Sequence, residues 1–217
     1  MNKRAIVIAT AVLAVGAFAV AGTIYNWSMP EPEVARALPD GGTNLIRPLS
    51  PIMGPEDARV TIVEFFDPAC ESCRAFYPVV KQIMAEHPKA VRVVLRYTPR
   101  HEGSDEAVRI LETARIQGVF QPVLEALLAT QPVWASHGAP DIGKAWDAAQ
   151  AAGLDVARAK REMALPSITA MLNQDVADAK AVGVRGTPTF FVNGKPLPSF
   201  GRRQLEELVR SEVVASN

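Results

Sequence analysis

The chain has 217 residues, enough for one domain with an insertion, and 48% of them are hydrophobic, so it can bury a core. Its 23 basic and 23 acidic residues cancel to a formal net charge of zero, with no basic stripe. That balance argues against a nucleic-acid binder held by phosphate contacts.

Met1-Asn2-Lys3-Arg4 is a short basic start, and the run from Ala5 to Ile24 is nearly free of polar side chains. Ala19-Val20-Ala21 fits the small-x-small pattern ahead of a cleavage point. The run is also long enough to span a bilayer. Residues 1–24 are therefore read as a signal peptide or an N-terminal membrane anchor, and 5–24 as a membrane tether in the second case. The anchor is preferred because the run is long for a signal and carries Val, Ile and Phe besides Ala. Either reading keeps the basic end cytoplasmic and exports the rest to a periplasmic or other extracytoplasmic compartment, where disulfides form. The rival reading, a buried N-terminal helix, has no polar face to support it.

Residues 25–50, with Met29-Pro30-Glu31-Pro32-Glu33 and Pro39-Asp40-Gly41-Gly42, read as a linker. At its end Leu45 to Leu49 is expected to form a short strand, confined to a sheet edge by Pro48. Gly54-Pro55-Glu56-Asp57 is a turn. Val60 to Phe66 is an apolar run read as the first central strand, and it leads straight into Cys70-Glu71-Ser72-Cys73.

These are the only two cysteines in the chain. Placed at a strand-to-helix junction, such a pair makes or breaks disulfides. With Cys70 at the helix start, its sulfur faces unpaired backbone N–H groups and the positive end of the macrodipole, both of which favour thiolate. Cys73 then lies one turn on, on the same face, placed to resolve a mixed disulfide on Cys70. Glu71 should oppose the thiolate and Arg74 favour it. Two other readings are weaker. A structural zinc site needs a second ligand pair, and His87, His101 and His137 are widely spaced without a ligand pattern. A purely structural disulfide closing so short a loop adds little stability.

Arg74 to His87 reads as a helix, with Phe76, Val79, Val80 and Ile83 at helical spacing, a kink expected at Pro78 and a stop at Pro88. Ala90 to Tyr97 reads as a buried strand. From Pro99 to Arg185 the pattern is helical, with five segments: one capped near Ser104, then Val119–Leu128, one capped by Asp141, Leu154–Ala164 and Ser167–Val182. Trp134, Trp146, Met163 and Met171 in this stretch are expected in the core or lining a groove rather than around a cofactor. Gly183 to Lys195 reads as loop, strand and tight turn, with Asn193-Gly194 the hairpin signal. Pro188, just ahead of the strand, is a candidate for a cis peptide bond. A hairpin to Leu197 and a helix from Arg203 to Val214 close the chain.

The strand, Cys-x-x-Cys and helix followed by Gly186-Thr187-Pro188-Thr189-Phe190-Phe191-Val192-Asn193-Gly194 resembles the thioredoxin superfamily. More narrowly, it resembles its DsbA-like thiol:disulfide oxidoreductases. The resemblance implies an α/β thioredoxin-like domain at 51–99 and 186–217 and a helical insertion at 100–185. It implies that Cys70, Cys73 and the Thr187-Pro188 loop meet in space, with Cys70 the nucleophile. It also implies a buried carboxylate near the resolving thiol, and Glu64 stands at the matching place. Strand alternation by itself leaves Glu64 either buried or exposed. A peptide groove beside Cys70 would be lined by Phe66, Pro68 and the Thr187-Pro188 loop, with apolar side chains from the insertion. The substrates implied are cysteine-containing proteins, with no cofactor, no metal, and a membrane partner that reoxidises the pair through quinone or supplies reductant.

The chain departs from the best-known oxidase of that family, which has Pro-His between its cysteines where Glu71-Ser72 stand here. Thr187 before the proline also occurs in isomerases. Isomerase or reductase activity stays open on these grounds, alongside oxidation. A reading from another class is a non-catalytic chaperone or Cu(I)-handling module, since paired thiolates suit Cu(I), but no Met- or His-rich tract accompanies them.

Overall fold

The structure, a computed structural model, describes residues 45–216. The expected signal or anchor segment and residues 25–44 of the expected linker lie outside them. No helix of the described residues is long and apolar enough to cross a membrane.

The elements run β1 (Ile52–Met53), β2 (Val60–Phe66), α1 (Glu71–Glu86), β3 (Val91–Tyr97), α2 (Ser104–Ile116), α3 (Phe120–Trp134), α4 (Ile142–Ala151), α5 (Val156–Glu162), α6 (Pro166–Ala181), β4 (Thr189–Val192), β5 (Lys195–Pro196) and α7 (Arg202–Ala215). They form one five-stranded sheet in the order β1-β3-β2-β4-β5. Only β2 and β3 pair in parallel, joined through α1; β1, β4 and β5 are antiparallel to their neighbours. Every residue of β2 is buried. That explains its near-continuous apolar sequence, since a strand covered on both faces has no polar side to present.

The two faces of β2 serve two cores. Val60, Ile62 and Phe66 pack with α1, α7 and the helices α2–α4. Val63 and Phe65 pack on the other face with Leu45, Val94, Phe191 and the α6 residue Ala179. The helices α2–α6 thus lie between β3 and β4 in sequence, the thioredoxin sheet with a helical insertion that the resemblance implied. Trp134, Trp146 and Met171 are buried in the main core, and Met163 packs against it half-buried.

Buried polar groups tie the insertion to the sheet. The Arg96 guanidinium donates to Asp175 and Asp178 of α6 and to the Leu45 carbonyl. The Tyr97 hydroxyl donates to Glu112 of α2 at 3.0 Å. Residues 45–50, at the end of the expected linker, pack onto the body: Leu45 is buried, and Arg47 donates twice to Asp178 at 2.8 Å.

Leu45–Leu49 is not the edge strand expected of it. Pro48 lacks a donor, and Arg47 and Ser50 close a local turn by N–H to Oγ and N–H to carbonyl bonds. Ile52–Met53 forms the edge instead. α1 continues through Pro78.

Candidate active site

The chain leaves β2 through a tight turn built by Asp67. Its carbonyl accepts the Cys70 N–H at 3.0 Å, and its Oδ1 accepts the Ala69 N–H at 2.9 Å. This is the local side-chain turn that Asp favours. The turn places Cys70 as the N-cap of α1, with extended backbone (φ −78°, ψ 121°), while its carbonyl takes the Arg74 N–H at 3.1 Å. Cys73 follows one turn later, fully buried, and its sulfur accepts the Asp67 N–H at 3.5 Å. Both cysteines are reduced.

The two thiols have opposite electrostatics. The Cys70 thiol is lowered from 9.0 to about 5, first by the hydrogen bond from Cys73, then by the Thr187 side chain and the backbone N–H groups of Cys73 and Ser72, against an opposing effect of burial. The Cys73 thiol is pushed up, chiefly by burial, then by its bond to Cys70 and by the nearby Glu64 carboxylate. A helix start thus supplies one stabilised thiolate and one buried proton donor.

The Thr187-Pro188 peptide is cis, and the Thr187 carbonyl lies 3.2 Å from Cys70 Sγ, within reach of the thiol proton. Thr187 is half-buried and Pro188 buried. Glu64 is 2% exposed, on the same face of β2 as Ile62 and Phe66, beneath α1. It pairs with Leu95 on one side and Phe190 on the other. Its Oε1 has no hydrogen-bond partner. Burial, then the charge of Cys70, raise its carboxyl to about 8.

Phe66 does not line a groove. It is 1% exposed and sits in the main core, because it shares the inward face of β2 with Ile62. Pro68 is buried as well, under α3. The aromatic surface exposed on this side of the sheet is Phe200, stacked 4.7 Å from Phe76, which lies 5.5 Å from Phe190.

Sequence reasoning missed three groups that the fold brings here. Asp67, fully buried, accepts from Ser104 Oγ, from the N–H groups of Arg100 and His101, and pairs with His101 Nδ1 at 2.7 Å. Gln131 of α3 donates from Nε2 to the carbonyls of Pro68 (2.8 Å) and Cys70 (3.0 Å), while Arg74 Nε donates to its Oε1. His101 and His137, far apart in sequence, bring their rings to 6.2 Å, with His137 Nε2 at 3.5 Å from Glu71. Among the described residues, no three His, Cys, Asp or Glu side chains gather as a metal site. The Asp-Pro pair ahead of the first cysteine was the one local signal that could have pointed to Asp67.

A family model described as Thioredoxin matches residues 47–210. A thioredoxin-like oxidoreductase from Silicibacter pomeroyi DSS-3 is 33% identical, with a TM-score of 0.67, covering 76% of this chain and 92% of that one. BdbD from Bacillus subtilis, in its oxidised form, superimposes with a TM-score of 0.67 at 23% identity, covering 76% and 93%. The Na(+)/H(+) antiporter NhaA of Herminiimonas arsenicoxydans is 34% identical over 146 residues, 67% of this chain but 22% of that protein. The chain spans about a quarter of the length of the curated relatives it matches.

Proposed function

The chain belongs to the thioredoxin family, and we propose that it is an exported thiol:disulfide oxidoreductase that oxidises cysteines of substrate proteins through the Cys70–Cys73 pair. The observation that carries this reading is the contrast between the two thiols: a Cys70 thiolate favoured down to about pH 5 beside a buried, protonated Cys73. A low thiolate pKa stabilises the reduced pair against its disulfide. It makes the disulfide a better electron acceptor, as the trend from about 7 in thioredoxin to about 3.5 in DsbA illustrates.

In the oxidising direction a substrate thiolate attacks Cys70 Sγ of the disulfide. The Cys70–Cys73 bond breaks, Cys73 leaves as thiolate, and it takes a proton from the Glu64 carboxylic acid. A second substrate thiolate then attacks the substrate sulfur of the mixed disulfide. Cys70 leaves as its stabilised thiolate, the substrate holds the new disulfide, and two electrons rest on the pair. The Thr187 backbone beside Cys70 offers the extended substrate a strand-like partner. A membrane partner that passes the electrons to quinone would restore the disulfide.

In this reading, residues 51–99 and 186–217 carry the chemistry, 100–185 walls the site, and 1–24 exports or tethers it. Equilibration with glutathione redox buffers tests the direction. A potential near about −120 mV is expected of an oxidant, while a value near about −270 mV would assign the protein to the reducing side and end the oxidase reading.

A further inference from the structure

On the α6 side of the sheet, between the β3–α2 loop and the loop ahead of Pro188, lies an open cavity of about 580 Å³. Val176 and Val184 give it an apolar base. Arg100 and Lys180, both exposed, give it two cations, and no carboxylate stands among the described residues that line it. The two carboxylates of α6 nearest in sequence, Asp175 and Asp178, are buried and bound to Arg96 and Arg47. In a chain of zero net charge this is a local concentration of one sign, which attracts the opposite sign into a cleft.

The groove meets the cysteine site from two sides. The Arg100 N–H donates to the Asp67 carboxylate at 2.7 Å. Arg185 lies two residues ahead of Thr187, whose carbonyl is 3.2 Å from Cys70 Sγ. An extended polypeptide that offers a cysteine to Cys70 and runs along the Thr187 backbone therefore continues past Arg185. We infer that this groove selects substrates by receiving acidic side chains that flank their reactive cysteine. The inference rests on the exchange reaction proposed above and names its preferred substrates.

The test uses the oxidised full chain and three short peptides, each with a pair of cysteines, flanked by Asp, Ser or Lys. Second-order rates of peptide oxidation are read by mass spectrometry after acid quench. At low salt the Asp-flanked peptide is expected to react about three- to tenfold faster than the Ser-flanked one, as a few exposed charge pairs allow. In about 1 M salt that advantage should collapse, because the screening length falls to about 3 Å. Lys180→Glu should shift the ratio toward the Lys-flanked peptide, a gain that misfolding cannot produce. An Asp-to-Ser ratio near one at low salt, or a ratio that Lys180→Glu leaves unchanged, would overturn the inference. If no peptide is oxidised, the exchange reading itself fails and the groove's role falls with it; oxidation without selectivity removes the groove alone.

Discussion

Gln131 Nε2 donates to the Cys70 carbonyl at 3.0 Å, across 61 positions of sequence. The same amide holds the Pro68 carbonyl, so one side chain of the insertion clamps both ends of the turn that presents Cys70. Gln131→Ala removes both bonds inside a buried site, and the Cys70 carbonyl keeps only the Arg74 N–H. The substitution is expected to destabilise the protein by about 1–3 kcal/mol and to slow disulfide exchange several-fold, measured by denaturant unfolding and by stopped-flow reaction with a dithiol.

The unequal thiols set unequal consequences for their loss. Cys70→Ser is expected to abolish oxidation of a peptide dithiol. Cys73→Ser should retain attack through Cys70 and accumulate mixed disulfides with substrate, visible on non-reducing gels and by mass. Full activity in Cys70→Ser would refute the assignment of the nucleophile.

Cys70 also couples redox state to pH. Its pKa is lowered from 9.0 to about 5 on folding of the reduced protein. Between those values the folded state binds fewer protons than the unfolded state, so reduced-state stability rises with pH across the window. The contribution is complete above the unfolded value, shrinks as pH falls, and is gone below about 5; the disulfide form lacks it. Unfolding midpoints of both forms at roughly pH 5 and pH 8 should therefore separate in favour of the reduced protein as pH rises.

Glu64 works in the opposite sense. Its pKa is raised from 4.5 to about 8. The folded state keeps a proton that the unfolded state loses, so the cost is absent below the unfolded value, grows as pH rises to about 8 and is constant beyond. Glu64→Gln is expected to flatten that decline, a difference on the order of 5 kcal/mol between its ends. The same variant should slow proton-coupled exchange by roughly a hundredfold or more, while alkylation of Cys70, which needs no proton from Glu64, changes far less.

Asp67 accepts five hydrogen bonds from Ala69, Arg100, His101 and Ser104. Asp67→Ala leaves those donors unmatched in a buried site. A loss of about 3 kcal/mol is expected, lowering the thermal midpoint by roughly 6–12 °C. Asp67→Asn, which turns an NH2 toward donors, should fall nearly as far.

What was legible in the chain was local. A cysteine pair after an apolar run, a proline before a short strand and five stretches of helical spacing all write their geometry within about ten residues of themselves, and α1–α7 and β2–β4 follow them closely. The places that escaped are set by contacts between distant segments. Gln131 is one polar residue in a helical pattern, and nothing nearby says that it faces Pro68. His101 and His137 have no common spacing; two loops bring them together. Phe66 was misplaced for a different reason. It adjoins the motif in sequence, but alternation along β2 turns it to the core with Ile62, and only a strand covered on both faces hides that alternation.

The buried bonds of Arg96 to Asp175 and of Tyr97 to Glu112 bear on the choice of client. Hinging the helices away from the sheet would break these buried bonds together with the apolar packing around them. The mouth around Cys70 therefore keeps a fixed width, and any adjustment of shape falls to the other molecule. In the exchange reaction proposed above, an unfolded chain can thread such a mouth, whereas a folded protein with recessed cysteines cannot. On that proposal the exchange falls early, before a client has finished folding.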